Sequence, residues 1–232
     1  MKAAWLGAMG MTLACLGIAH VARADLNPPP RRDFQSPERF GLEFRGGPYK
    51  PDATPDIIGD SGPMLALEFD IWALRIPYLG LLGGSAYIGW TDFSGDARSV
   101  DGTSTPLGEE TSLVVVPLSS MLVLRVDVLS RQLGIPFVLT GKIGPELAFW
   151  WASTGSRSDA NNISLGFRWG AQLALELDFL EPRAARSLDE EWGINHTYVF
   201  FEFYGSTAGK YKDTANEVGD PFTWAAGLGF IF

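Results

Sequence analysis

His196 is the natural first candidate for chemistry in this 232-residue chain, which contains only two histidines. Imidazole is the side chain suited to moving a proton near neutral pH. A hydrolytic centre built on it needs a nucleophile within hydrogen-bond reach and a third group that orients the ring. Thr197 follows it directly, but adjacent side chains of an extended chain point to opposite faces. Glu202 shares the face of His196 yet lies three alternations further on. No catalytic dyad is expected, and the chain reads as non-enzymatic. The acids Asp52, Asp56, Asp60, Asp96, Asp101, Glu109 and Glu110 lack the ligand spacing of a calcium loop. They read as solvated loop residues, and neither a metal nor a cofactor is expected.

A second set of charges is more distinctive. Arg45, Glu68, Asp70, Arg125, Asp127, Lys142, Glu146, Arg168, Glu176 and Glu202, with Glu43 and Asp178 beside them, occupy the polar positions of stretches that alternate apolar with polar. Such side chains either face water, where they need no partner, or face inward. Inward, they must pair and hydrogen-bond to offset desolvation. Arg168, flanked by glycines in mid-strand, is expected to pair with carboxylates from neighbouring strands.

The elements that hold these charges decide between the two cases. The clearest is Ile163 to Phe179. Ile163, Leu165, Phe167, Trp169, Ala171, Leu173, Leu175, Leu177 and Phe179 are apolar, and every position between them is small or polar. Period two over such a length marks a strand with different solvents on its two faces. It exceeds the ~5–6 residues usual in soluble domains and suits the ~9–11 needed to cross an outer membrane. Similar alternation places further strands at Phe40–Pro48, Met64–Leu74, Leu79–Phe93, Ser112–Leu129, Phe137–Trp151, Asn195–Gly205 and Pro221–Phe232. Pro117 predicts a bulge or irregular pairing in the fourth. A short helix is expected between strands six and seven, in Glu181–Gly193, from Pro182 near its start and Gly193 at its end.

Three features favour a membrane barrel over a soluble one. Connections are expected to be long after strands one, three, five and seven, including Ser94–Thr111 and Ala152–Asn162. They are expected to be short after strands two and four, as at Ser130–Pro136. Trp90, Phe149, Trp151, Phe167, Trp169, Phe201, Phe203, Phe222 and Trp224 would lie toward one end of their strands. Phe40, Phe137, Phe179, Phe230 and Phe232 would lie toward the other, as two interfacial belts require. Finally, the polar face is charged in mid-strand. The fold expected is an all-β, eight-stranded antiparallel transmembrane β-barrel.

Export fits this reading. Residues 1–24 read as a cleaved signal peptide, with an apolar run after Lys2 and a small-x-small site at Ala22-Arg23-Ala24. The chain's one cysteine, Cys15, falls within it, so no disulfide framework follows. Residues 25–39 are Pro-rich and read as a periplasmic linker, and residues 40–232 as the barrel. A net charge of −9 makes a nucleic-acid partner unsuitable.

The final strand, with Trp224, Leu228, Phe230 and Phe232 at alternate positions, resembles the assembly signal of bacterial outer-membrane proteins. The likeness is to small eight-stranded outer-membrane barrels. IPFVLTGKIGPELAFWW and INHTYVFFEFYG are further similar to segments of uncharacterised outer-membrane barrels of myxobacteria. The resemblance implies an outer-membrane location in a Gram-negative cell, contact with membrane lipid and lipopolysaccharide, a monomer, and reading of Trp224 to Phe232 by the barrel-assembly machinery. Eight strands enclose a lumen that side chains just fill. A plugged or narrow charged interior with a structural or surface-interaction role is therefore expected. Two alternatives remain open. Gly83, Gly89, Gly144, Gly166 and Gly170 on the polar face could leave a cavity through which small apolar molecules exit laterally. A soluble periplasmic lipocalin-like ligand binder would reverse the faces.

Overall fold

The computed structural model describes residues 37–51, 61–98, 106–154, 157–210 and 217–232. The expected signal peptide and residues 25–36 of the linker lie outside them. Eight strands run in chain order: β1 Phe40–Tyr49, β2 Gly62–Ile76, β3 Gly80–Arg98, β4 Pro106–Val126, β5 Phe137–Thr154, β6 Arg157–Glu176, β7 His196–Ser206 and β8 Thr223–Ile231. Each pairs antiparallel with its neighbours, and β1 pairs with β8 to close the barrel. Closure leaves no sheet edge. The seam is completed by the last residue: Phe40 N–H donates to Phe232 O at 3.0 Å and Phe232 N–H to Phe40 O at 2.9 Å. An even strand count brings both ends of the barrel sequence to one rim, called here the terminal rim.

The faces follow the alternation. On β6, Leu165, Phe167, Trp169, Ala171 and Leu173 are exposed, while Ser164, Gly166, Arg168, Gly170, Gln172, Ala174 and Glu176 are buried. The barrel is inside-out. Leu65 is 63% exposed and Leu165 60%, whereas Arg168, Glu68 and Glu202 are no more than 1% exposed. At the rim opposite the chain ends, exterior rings pack across strands. Phe201 stacks on Trp224 at 5.6 Å, Phe203 on Phe222 at 5.5 Å, and Trp169 lies 6.1 Å from Phe222. At the terminal rim Phe40 stacks on Phe69 at 5.8 Å.

Several boundaries differ from the sequence reading. β3 and β4 continue as a paired ladder to Arg98↔Pro106, and β5 and β6 to Thr154↔Arg157. Most of the expected loops Ser94–Thr111 and Ala152–Asn162 are therefore strand. Backbone pairing needs no apolar face, so a hairpin extends past the point where alternation of side chains stops. The connection after β5 is consequently shorter than the one after β4, and the expected long–short asymmetry does not extend to it. Residues 130–136 are not a simple turn. Strand pairing ends at Val126, and helix α1 (Val128–Leu133) follows, stopped by Gly134 at φ 67°. The left-handed conformation suits glycine. At Pro117 the expected irregularity takes the form of irregular pairing without a bulge: Ile88↔Leu118 and Thr91↔Val115 keep one register, with an unpaired step between. Register shifts occur instead between Trp72 and Leu74, between Asp96 and Arg98, and between Ala152 and Ser153. β6 ends at Glu176, short of Phe179. Helix α2 (Pro182–Trp192) lies between β6 and β7, as expected, and ends at Gly193 with φ 69°.

Candidate functional site: the charged interior

Inward side chains fill the barrel in layers. At the rim away from the chain ends, Tyr49, Met64, Leu113, Val115, Ala148, Trp150, Tyr204 and Val218 form an apolar plug. Ala208 and Val218, described residues of the β7–β8 connection, belong to it: Tyr49 OH donates to Val218 O, while Gly209 N–H donates to the β6 backbone at Leu165 O at 3.0 Å.

Beneath the plug sits Arg168. Its guanidinium lies 4.0 Å from the ring centres of both Tyr87 and Tyr204, and its Nη1 is 3.3 Å from Glu146. Glu146 also accepts from Ser119 Oγ at 3.0 Å and from Ser206 Oγ. The expected carboxylate partner from a neighbouring strand is present. The tyrosines were legible only as residues of the polar face, because nothing in their spacing brings β3 and β7 across the lumen.

The central layer is a five-strand lattice. Arg45 Nη2 contacts Glu43 and lies 2.7 Å from Glu68, and its Nη1 lies 2.6 Å from Glu202. Lys142 Nζ lies 2.8 Å from Glu43, 2.9 Å from Glu68 and 3.6 Å from Glu202. Glu43 is the hub, because Gln172 Nε2 and Tyr198 OH also donate to it, each at 2.8 Å. Two cations thus face three glutamates, and Asp70 adds a further carboxylate. Asp70 is 1% exposed; its Oδ1 has no hydrogen-bond partner among the described residues. Ser85 Oγ, on the residue opposite it in register, and Trp72 Nε1 are likewise without one.

Toward the terminal rim follow an apolar layer that includes Trp72, Val123, Val138 and Phe200, then Arg125 at 3.0 Å from Glu176. Ser130 Oγ also donates to Glu176. Last comes an ionic ring. Arg75 lies 2.8 Å from Asp127, Arg131 lies 3.7 Å from Asp127, and both arginines hold Glu38, Arg131 at 2.8 Å. Glu38 belongs to the stretch read as a linker, so the end of that stretch is fastened to the barrel. Burial favours the neutral acid, yet His196 and the Arg75 and Arg131 charges outweigh it and hold Glu38 below the usual carboxylate range.

No protein-family model matches this chain, and comparison with curated proteins finds no match. Solved structures do resemble it. The attachment invasion locus protein Ail of Yersinia pestis, crystallised with the heparin analogue sucrose octasulfate, is 13% identical with a TM-score of 0.44, covering 84% of this chain and 97% of that one. The outer membrane enzyme PagL is 13% identical with a TM-score of 0.44, covering 82% and 97%. A major outer membrane protein from Thermus thermophilus is 13% identical with a TM-score of 0.41, covering 83% and 99%. Likeness at this level decides neither activity nor location.

His196, the one histidine among the described residues, sits in the ionic ring. His196 Nδ1 contacts Asp178 Oδ2, and its Nε2 lies 3.7 Å from Glu38. Both ring nitrogens face carboxylates, and Glu202 belongs to a different layer, committed to Arg45 and Lys142. That arrangement orients the ring, and among the described residues both of its nitrogens are directed at carboxylates rather than at a hydroxyl. Ligand atoms of Glu176, Asp178 and His196 lie within 4.8 Å of one another. Their carboxylates are already engaged: Glu176 by Arg125 and Ser130, and Asp178 by His196 and the Thr197 N–H at 3.3 Å. The set reads as part of the ion-pair ring. Of the loop acids, Asp52, Asp56, Asp60 and Asp101 fall outside the described residues, and Asp96, Glu109 and Glu110 belong to the extended β3–β4 ladder.

The inward glycines make room for neighbours. A Cβ at Gly83 would collide with Ile71 O, at Gly144 with Ser120 O, and at Gly166 with the Ala208 backbone. At Gly89 it would come within 2.9 Å of Pro117 Cγ and Tyr87 OH, and at Gly170 within 2.5 Å of Glu202 Oε1. These positions relieve crowding between strands and side chains.

Proposed function

We propose that the chain is an outer-membrane β-barrel with a closed, structural interior, whose activity is non-enzymatic and resides in surface contacts. The observation that carries this reading is the reversal of faces. Apolar side chains cover the outside, and buried ion pairs and hydrogen bonds tie β1, β2, β5, β6 and β7 together inside. Only lipid makes such an exterior favourable, and only a closed barrel satisfies every backbone group there. A soluble lipocalin-like binder requires the opposite distribution. Lateral passage of apolar molecules requires a cavity, whereas the glycines that suggested one are packed against backbone and side chains. On this reading the terminal rim is periplasmic. Lipid contacts the exterior, the protein acts as a monomer, and the assembly machinery reads Trp224, Leu228, Phe230 and Phe232 on the outer face of β8. Kinship with the uncharacterised myxobacterial barrels that two strand segments resemble is part of this proposal.

Liposome swelling tests the closed interior. Purified protein reconstituted in vesicles is expected to give no sugar or ion flux above empty vesicles. Robust flux would make it a pore.

A further inference from the structure

Helix α2 is amphipathic, and none of its residues is buried. At 3.6 residues per turn, Ala184, Leu188 and Trp192 share one face, with Ala185 beside them, while Arg183, Arg186, Ser187 and Glu190 lie opposite. Trp192 is 73% exposed, and Leu180, in the segment that leads into the helix, is 66% exposed. The barrel therefore does not cover the apolar face. Glu181 makes no side-chain cap bond at the N-terminus, and an 11-residue helix is marginal in water by itself. Something else must support it.

The surroundings indicate what. The helix leaves β6 through Phe179 and Leu180, which continue the apolar exterior of that strand beyond its last paired residue. On the adjacent β4–β5 connection Leu133 and Ile135 are exposed as well, as is Phe137 at the start of β5. Phe137 pairs with Leu175 of β6, so the two exposed segments lie side by side at the terminal rim. Exposed apolar side chains thus extend from the barrel wall through Phe179 and Leu180 to the start of the helix, and Leu188 and Trp192 continue the series along it.

We infer that α2 is an interfacial helix: it lies in the headgroup region of the periplasmic leaflet, with Leu188 and Trp192 inserted toward the acyl chains and the Arg183–Arg186–Glu190 face in water. Amphipathic helices with an aromatic at the apolar face bind in this plane. The helix then fixes how deep the rim sits and anchors the longest connection on that side. This inference rests on the outer-membrane reading above.

Site-directed spin labelling separates the two. Cys15 is the chain's one cysteine, so in a Cys15→Ser background each added thiol is unique. Nitroxides are placed by Trp192→Cys, by Glu190→Cys on the polar face and by Leu165→Cys on the barrel wall. The proteins are reconstituted in phosphatidylethanolamine–phosphatidylglycerol vesicles, and collision with oxygen is compared with collision with a water-soluble nickel chelate. The inference predicts labels at 165 and 192 that favour oxygen, with chelate collision at 192 several-fold below that at 190. Chelate access at 192 equal to that at 190, with 165 still shielded, would overturn the interfacial helix and leave the membrane barrel standing. A label at 192 shielded from both reagents would mean a protein partner or second copy covers the face, again overturning it. Chelate access at 165 would overturn the membrane reading itself.

Discussion

Arg45 shows what a single residue does in this interior. It holds Glu43, Glu68 and Glu202 from three strands, so removing it leaves buried carboxylates with only Lys142 to balance them. Arg45→Met is expected to destabilise the barrel by ~3–5 kcal/mol, measured by urea unfolding in detergent. Arg168→Glu should also destabilise it, since a carboxylate would replace the cation between Tyr87, Tyr204 and Glu146. Asp70→Asn should act in the opposite direction. It keeps the shape of the side chain and puts a neutral amide in place of a buried carboxyl that no described cation contacts, so the melting temperature should rise. Glu38 gives a pH dependence. Its folded pKa lies below its unfolded value, so its contribution is present above the ordinary carboxylate pKa and is lost as pH falls through the folded one. Glu38→Gln should therefore lower stability at neutral pH, with the difference from the parent protein shrinking under strongly acidic conditions. That these charges face one way was legible in their alternation. Their division into layers was not, because Lys142 reaches Glu43, and Arg168 reaches Tyr87, across the lumen rather than along any strand.

At the scale of elements, sequence and structure agree wherever two solvents impose a period of two. β6 shows this: its faces follow Ile163 to Leu175 residue by residue. Its start does not, because Arg157–Asn162 pair with β5 without an apolar side to mark them. Helix α2 was visible from Pro182 and Gly193, whereas the six-residue α1 was not. Its first residue, Val128, continues the alternation of β4, and only the left-handed Gly134 closes the turn. The last strand carries a prediction of its own. Phe232 makes the final backbone hydrogen bonds to Phe40 across the seam, so deleting it should reduce the fraction of chains that assemble, read as unfolded protein on unboiled gels. Gly144→Val should weaken the β4–β5 ladder, because its side chain would meet Ser120 O and Met121 Cα.

The whole molecule is an inverted protein: its salt bridges form the core and its leucines form the surface. Stability in that arrangement depends on lipid or detergent outside and on nearly complete charge pairing inside. The excess of acids in the central lattice is its weakest feature, and the layers of tyrosine, serine and glutamine hydroxyl and amide groups offset it by hydrogen-bonding Glu43 and Glu146. On the proposed function, an interior of this kind suits a rigid post in the membrane rather than a passage through it. The most direct test is migration of the protein from an isolated outer-membrane fraction, boiled and unboiled in SDS. The inside-out barrel predicts sedimentation with that fraction and faster migration without boiling. Recovery in the osmotic-shock fluid, with identical migration of both samples, would contradict it.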